Sequence, residues 1–524
     1  MEFKTTIKES LETLNLNLNK VNFDVRNEIK QEQAIMYDLL GLLTYMASIS
    51  TADISRSKLF ELSGSQDGIA SKYLNRIYTM VENYGYDYSN ACKLVSENIE
   101  HPELRNFLVR FSNALNTGEE EEKFLRGEAD RMVEIYTNSY LNDVEQLKKW
   151  GDAHSALITS LGMVIAIFLI TTWIFPFADL FSMIIATGSI FFLVCFFGTY
   201  IIFKVAPFET VVHSLDVKSK KQQILSNISK ISLAFIFIIP PTLLIFGVSV
   251  WIVFLCASIF MAPIGIVAVS DSSDLEKVDA DTPHLLKNLG STAGIMGTTL
   301  SKALSQIDKQ TVVSLEDLVT RLEKRLINGI EPLICWYYFR GESGSELINK
   351  YINVFIDATT LGGNPTKIGE VTSQASLGIV LLRVRRKLVS KSFMNLTLLM
   401  HLVISGLMLF IYQILYIFTN AMLDMRAHQA EMIATATAGA PAGIGFFDMG
   451  EMDLIMIEVF VFSLIFLFSV ANASAIKFAI GGNNYTVFFY GAILFFISAI
   501  VIFIVPLLSD LVFTIELGGG IPDV

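Results

Sequence analysis

Long apolar stretches alternate with polar regions along the chain. Residues 156–269 and 396–508 are mostly apolar, whereas residues 1–152 and 271–395 are polar. A helix that crosses a bilayer needs about 20 predominantly apolar residues. The two apolar blocks are long enough for seven such helices, which are predicted at 156–175, 180–203, 232–248, 249–269, 396–419, 454–476 and 485–508.

The third and fourth predicted spans are almost fused. Pro240 and Pro241 lie within the third span. Neither proline carries a backbone N–H group, so a kink is predicted at this point. A single re-entrant pair over 232–269 is the alternative to two complete crossings.

Lysine and arginine residues gather at one set of span ends. They are Lys148 and Lys149 before the first span, five lysines within 204–230, the run RVRRKLVSK at 383–391, and Lys477. Basic residues favour the cytoplasmic side of a membrane. With seven spans, this rule predicts a cytoplasmic N-terminus, an external C-terminus and two cytoplasmic polar regions.

The polar regions have the periodicity of helices. Leucine and phenylalanine recur every three or four residues in 104–115, and leucine does so in 315–326. Gly118 is the predicted C-cap of the first of these helices, and Ser314 is the predicted N-cap of the second. Each polar region is therefore predicted to form a small helical bundle, which makes the whole fold all-α.

These predictions divide the chain into successive units. Residues 1–30 form an N-terminal cytoplasmic helix or tail, and residues 511–524 form an external tail. The units between them are a first cytoplasmic domain at 31–152, four membrane helices at 153–270, a second cytoplasmic domain at 271–395, and three membrane helices at 396–510 with an outer loop at 420–453.

The two cytoplasmic regions show signs of an internal repeat. Shifted by 244 residues, SKLFE at 57–61 falls on SKALS at 301–305, and FSNALNTGEEEEK at 111–123 falls on FIDATTLGGNPTK at 355–367. Identity is low and chance agreement is the alternative. Two separate segments nevertheless agree on one offset, and a helical region followed by membrane helices is the arrangement in both copies.

Composition and motifs argue against catalysis. The chain is 52% hydrophobic with a net charge of −12, which argues against nucleic acid as a partner. It has no GxxxxGK[ST], GxSxG, HExxH or CxxC motif, so no nucleotide, cofactor, catalytic or metal site is predicted. Its four cysteines are interpreted as buried free thiols.

The predicted spans contain few ionisable residues. Ion pumps and proton-coupled transporters need such groups at membrane depth. His401, near the inner end of the fifth span, is interpreted as a helix-contact or interfacial residue and not as a ligand. The permease subunit of an ATPase-driven transporter is one alternative, but it predicts a polar path. A receptor is another, but it predicts a larger external sensor.

The stretch PHLLKNLGSTAGIMGTTLSKAL at 283–304 resembles the opening helices of the cytoplasmic domain in the F-type membrane platform proteins of type II secretion and type IV pilus systems. FSNALNTG at 111–118 resembles a later part of that domain. The order of domains and spans, together with SVANASAIKFAIGGNNYTVFFYGAILFFISAIVIFIVP at 469–506, most closely resembles the platform of the archaellum motor.

The resemblance implies a function without chemistry of its own. A cytoplasmic hexameric ATPase would dock on the two cytoplasmic domains. The platform, expected to act as a homodimer in the cell membrane, would couple ATPase motion to the assembly of filament subunits and to rotation. The platform of an archaeal pilus or a secretion system is the alternative within the same family.

Two charged groups are candidate ATPase-docking surfaces. The first is a basic helix face, for which a solvated face is the alternative interpretation. Its residues are Arg321, Lys324 and Arg325. The second is an acidic run, for which a charged loop between helices is the alternative. Its residues are Glu119, Glu120, Glu121 and Glu122.

Two further groups have predicted structural roles. The basic run before the fifth span is predicted to set topology and to contact anionic lipids. Its residues are Arg383, Arg385, Arg386, Lys387 and Lys391.

Small residues at the start of the second cytoplasmic domain are predicted to let helices pack closely. They are Gly290, Ala293, Gly294 and Gly297. The outer loop 420–453 is low in polarity for an external loop, so it is a candidate contact for either the membrane surface or the filament base.

Overall fold

A computed structural model describes residues 28–174, 180–297, 299–435 and 454–517. Residues 1–27 of the predicted N-terminal tail, residues 436–453 of the predicted outer loop and residues 518–524 of the predicted external tail therefore lie outside the described residues. Throughout the described ranges the regular elements are helices, which confirms the all-α class. The α-helices are α1 Glu28–Ile49, α2 Arg56–Gly64, α3 Ile69–Tyr84, α4 Tyr88–Ser96, α5 Pro102–Thr117, α6 Glu121–Ile174, α7 Leu180–Val205, α8 Lys220–Ile245, α9 Val250–Met296, α10 Leu300–Ser305, α11 Glu316–Ile327, α12 Pro332–Ser343, α13 Glu346–Thr360, α14 Pro365–Thr435, α15 Leu454–Ile480 and α16 Val487–Leu517.

Seven of these helices are long and apolar enough to cross a membrane, in agreement with the seven predicted spans. They are α6, α7, α8, α9, α14, α15 and α16. Three of them are much longer than a bilayer requires, because α6 has 54 residues, α9 has 47 and α14 has 71. At 1.5 Å per residue, α14 is about 105 Å long. Each of these three helices therefore extends far into a polar region.

The two polar regions share one hydrophobic core. Its buried residues come from α1 to α6 of the first region and from α9 to α14 of the second. Phe60, Phe107 and Phe111 form stacked ring pairs in the first region, and Tyr351 and Phe355 are fully buried in the second. The regions are thus packed against each other around this core as one body. We call it the cytoplasmic body, after the side of the membrane predicted for it from the sequence.

Corresponding helices recur at the predicted offset. Helix α5 begins at Pro102 and α13 at Glu346, which are 244 residues apart, and α6 and α14 begin at Glu121 and Pro365, again 244 apart. Gly118, which ends α5 with a φ of 70°, corresponds to Gly362 with a φ of 90°. Shared helix starts and shared left-handed turns support the predicted repeat more strongly than the sequence identity does.

The caps predicted from sequence have mixed outcomes. Gly118 is the C-cap of α5, as predicted. Ser314 is not the N-cap of α11, because a 3₁₀ helix at Lys309–Leu315 runs directly into α11 and makes Leu315 the cap residue. The backbone N–H of Ser314 instead donates to the Asp281 carboxylate at 2.8 Å.

The long helices α6 and α14 lie side by side and run in the same direction. Arg126 pairs with Glu370 at 2.6 Å near their start. Farther along, Gly162 lies against Ile404, and a Cβ at Gly162 would be 2.8 Å from that side chain. The two contacts join residues 244 and 242 positions apart. Equivalent helices of the two copies therefore stay in register from the cytoplasmic body into the membrane-spanning segments.

Candidate functional site: a buried arginine cluster

Two arginines of the basic run on α14 point into the protein. Arg383 and Arg386 are one helical turn apart and so share a face of the helix. Their side chains are only 13% and 4% exposed, whereas Arg385 between them is exposed. A buried guanidinium group needs partners for its five N–H donors, because leaving them unpaired costs stability.

Arg386 joins three parts of the chain. Its Nε donates to the carbonyl oxygen of Ala479 at 3.0 Å, and its Nη2 donates to that of Phe478 at 3.0 Å. Both carbonyls belong to the last turn of α15, where the helix dipole is negative and favours a cation. Its Nη1 donates to the Pro207 carbonyl at 3.0 Å and to Glu209 at 3.3 Å. Arg386 therefore fastens α14 to the end of α15 and to the loop after α7.

Arg383 lies between two carboxylates. It forms ion pairs with Glu209 and Asp279, both of which are less than a tenth exposed. Burial alone would lower the pKa of Arg383, but the two carboxylates outweigh this effect and raise it, so the guanidinium group stays charged. Burial raises the pKa of Asp279 to about 6, against the opposing effect of Arg383.

Asp279 also connects the cluster to the second half of the cytoplasmic body. It accepts a hydrogen bond from the hydroxyl of Ser345. The same hydroxyl accepts from the backbone N–H of Ile348 at 3.2 Å and thereby caps α13. One buried network thus links α9, α13, α14, α15 and the loop after α7; we call it the arginine joint.

The loop at 206–219 crosses from α7 to α8 over the turn between α12 and α13. The backbone N–H of Glu346 donates to the Val211 carbonyl at 2.9 Å, and His213 Nε2 lies 2.8 Å from the Gly341 carbonyl. Gln222, in the first turn of α8, donates to the Gly344 carbonyl at 3.1 Å. We call residues 206–219 the strap, because they connect the turn between α12 and α13 to the membrane helices α7 and α8.

Sequence reasoning missed the acidic half of the joint. Glu209 and Asp279 lie 174 and 104 residues before Arg383, so no local pattern connects them with it. The available signal was weak: Glu209 and Asp216 are the two acidic residues in the stretch 204–230, which also contains five lysines. Arg383 and Arg386 are enclosed by protein and not by lipid. Lipid contact stays a prediction for the exposed Arg385 and Lys391, and for Lys387, which pairs with Glu276.

The predicted basic docking face is partly occupied within the chain. Arg321 pairs with Glu342 at 2.9 Å, and Arg325 pairs with the same carboxylate and lies over the ring of Tyr338. Burial alone would raise the pKa of Glu342, but the hydrogen bonds from the two arginines lower it. Lys324 is exposed.

The acidic run divides into two pairs. Glu119 and Glu120 are exposed just before α6 begins. Glu121 pairs with Arg56 at 2.6 Å, and Glu122 pairs with Lys367 of the second copy. Only the first two are therefore freely presented to a partner.

The small residues of α9 lie at a very close helix contact. A Cβ on Gly290 would be 2.4 Å from the Pro365 carbonyl oxygen and 2.9 Å from the Cα of Gly369. Gly294 faces Thr366 in the same contact, and Ala293 is buried. Gly297 differs, because it ends α9 in the left-handed conformation with a φ of 56° and has open space around it.

Among the described residues, no group of three or more histidine, cysteine or acidic side chains is arranged to hold a metal ion. The four cysteines are free, and three of them are buried. Within this part of the chain, the arginine joint brings four charged side chains of low exposure together, and their hydrogen bonds and ion pairs connect separate helices.

Comparison with known proteins finds two archaeal relatives with flagellar names. It is 23% identical over 512 residues to Flagella accessory protein J of Methanocaldococcus jannaschii, covering 94% of this chain and 87% of that protein. It is also 23% identical over 372 residues to Flagella accessory protein J of Methanococcus voltae, covering 67% of this chain and 65% of that protein. No protein-family model matches, and no solved structure matches significantly. The predicted resemblance is therefore confirmed: over most of its length, this multi-pass membrane chain is a homologue of archaeal proteins named Flagella accessory protein J.

Proposed function

We propose that the protein is the membrane platform of an archaellum. In this role it docks a cytoplasmic hexameric ATPase and couples ATPase motion to filament assembly and rotation. The names of its relatives support a flagellar role. Filament subunits and a second copy of the chain are the proposed partners within the membrane. The positions of the basic residues support a cytoplasmic N-terminus and an external C-terminus.

Helix continuity is the observation that carries this proposal. Helices α6, α9 and α14 run without interruption from the cytoplasmic body into membrane-spanning segments. An α-helix is a stiff element, and the packed core of the cytoplasmic body leaves little room for internal deformation. A force or torque applied to the cytoplasmic body would therefore be transmitted into the membrane along these three helices. The arginine joint would transmit it further, to the end of α15.

Deletion of the gene is the direct test of this function. We expect mutant cells to lose surface filaments and swimming, and we expect both to return when the intact gene is supplied again. Electron microscopy and motility tracking measure the two outcomes. Cells that still swim but lack adhesive pili or secreted proteins would contradict the archaellum assignment and favour the related pilus or secretion role.

The basic face of α11 is the proposed ATPase-docking surface. Reversing its charge with Arg321→Glu, Lys324→Glu and Arg325→Glu is expected to reduce co-purification of the ATPase by about tenfold or more, because like charges that face each other across an interface cost several kcal/mol. The matched control is Glu342→Gln, which removes the carboxylate that holds Arg321 and Arg325 but keeps the face basic.

Two outcomes would count against this docking surface. One is unchanged recovery of the ATPase with the triple variant. The other is equal loss with Glu342→Gln, which would mean that the internal pairing matters and the charge of the face does not. The exposed Glu119 and Glu120 are a second proposed contact, for basic residues of the ATPase or an adaptor.

A further inference from the structure

The inward face of α14 remains polar beyond the arginine joint and into its membrane-spanning part. Ser390, Thr397, His401 and Ser405 are all buried. Their separations of seven, four and four residues place them on one side of the helix. This side packs against α15 and α16. The Ser390 hydroxyl donates to the Ala479 carbonyl at 2.8 Å and so belongs to the lower contact made by Arg386.

A second polar contact lies higher in the membrane, around His401. The imidazole is 0% exposed. Its Nε2 lies 2.9 Å from the Ser498 hydroxyl on α16, and its Nδ1 lies 3.3 Å from the amide nitrogen of Asn472 on α15. Ser469 completes the group, because its hydroxyl is 3.1 Å from that of Ser498. Three membrane helices thus meet through four hydrogen-bonding side chains.

The protonation state of the His401 ring follows from its hydrogen-bond partners. With the Asn472 amide donating to Nδ1, the neutral ring carries its proton on Nε2 and donates to Ser498. The partners named above are all neutral, so the contact needs no charge at this depth. The ring also packs against Phe468, with 4.8 Å between the ring centroids.

Such a contact constrains helices differently from apolar packing. Apolar side chains keep similar contacts when one helix slides or turns slightly against another. Buried donors and acceptors meet in one register only, and losing that register leaves them unpaired in hydrocarbon. Ser463 of α15 provides a contrast, because its hydroxyl donates to Val459 of its own helix at 2.7 Å and so connects α15 to nothing else.

The two polar contacts are well separated along α14. Ser390 and His401 are 11 residues apart, which corresponds to about 16 Å along the helix axis. Attachment at two heights prevents α14 from pivoting about a single point against the hairpin formed by α15 and α16. Apolar packing alone would not fix the position of α14 along the hairpin at either contact.

We propose that His401, Ser469, Asn472 and Ser498 form an intramembrane clamp that holds α14 to the α15–α16 hairpin in one register, so that displacement of α14 carries the hairpin with it. This role goes beyond the proposed platform function and would operate in whichever machine the protein serves. In this clamp His401 is a positioning residue, and it takes part in no reaction.

The test measures the distance between the outer ends of the two helices. Spin labels are placed at the exposed positions Leu423 on α14 and Ile455 on α15, in a full-length chain whose four cysteines are replaced by alanine. In nanodiscs, we expect one narrow distance distribution for the protein with His401. We expect a clearly broader or shifted distribution with His401→Leu, and restored narrowness with the hydrogen-bonding variant His401→Gln.

The matched control is Ser463→Ala, which removes a membrane hydroxyl with no interhelical role and should leave the distribution unchanged. Ser498→Ala is the milder variant should His401→Leu fail to fold, and it too is expected to broaden the distribution. Distributions that stay as narrow in both His401→Leu and Ser498→Ala as in the control would overturn the clamp.

A double-mutant cycle gives an independent measure. His401→Leu and Ser498→Ala are each expected to raise the unfolding equilibrium constant by about threefold to tenfold, the range for hydrogen bonds between membrane helices. If the two side chains act through each other, the double variant should resemble one single variant. Fully additive effects would mean that they do not interact, and would contradict the proposed contact.

Discussion

Replacing Arg386 with methionine is expected to lower the free energy of unfolding by about 3 to 5 kcal/mol, the usual cost of removing one partner from a buried ion pair. Methionine fills a similar volume, so the loss comes mainly from polar groups. The carbonyls of Pro207, Phe478 and Ala479 lose their donor, and the end of α15 loses its cation. Chemical or thermal unfolding of the purified protein in detergent measures the effect.

Arg385→Met is the matched control for this variant. Arg385 is on the same turn of α14 but faces outward, so its replacement should change stability by less than about 0.5 kcal/mol. Arg386→Lys should fall between the two, because an ammonium group keeps the charge but cannot reach all the acceptors of a planar guanidinium group. Equal stability of the Arg386 and Arg385 variants would show that the joint does not hold the helices together.

Replacing Gly290 with alanine is expected to destabilise the protein by about 3 kcal/mol, at the upper end of the usual cost of overpacking. The new Cβ would lie 2.4 Å from the Pro365 carbonyl oxygen, and the next nearest atom is the Cα of Gly369. Both obstacles are backbone, so no side chain can turn aside to make room. Helices α9 and α14 would have to separate, which would also loosen the core around them.

Gly127→Ala provides the control with the opposite sign. Gly127 lies inside α6, is exposed, and has no atom within 4 Å of the added methyl group. Alanine should stabilise the helix there by about 0.5 to 1 kcal/mol, because glycine loses more backbone freedom on folding. If Gly290→Ala behaves like Gly127→Ala, the close contact between α9 and α14 does not exist in solution.

The sequence predicted the elements well, because their signals are local. Twenty consecutive apolar residues identify a span wherever they occur, and recurring leucine positions identify an amphipathic helix. The 244-residue offset of the internal repeat could also be identified from the sequence, and the starts of α6 and α14 match it. These properties depend on the order of residues within a short window and not on which distant segment packs against it.

The arginine joint could not be predicted in the same way. Five basic residues lie close together at 383–391, but helical geometry turns only some of them inward, and the direction of the inward face depends on what surrounds α14. The carboxylates that neutralise Arg383 come from the strap and from α9. His401 posed the same difficulty, because its partners Asn472 and Ser498 follow it by 71 and 97 residues.

The parallel course of α6 and α14 has a consequence for how this chain can change in evolution. Residues 244 and 242 positions apart face each other along the two helices, and both helices continue from the cytoplasmic body into the membrane. A single inserted residue in either helix rotates everything beyond it by about 100°. Seven residues nearly restore the rotation but advance the helix by about 10 Å, so insertions or deletions between body and membrane should be tolerated best as matched changes of about seven residues in both helices.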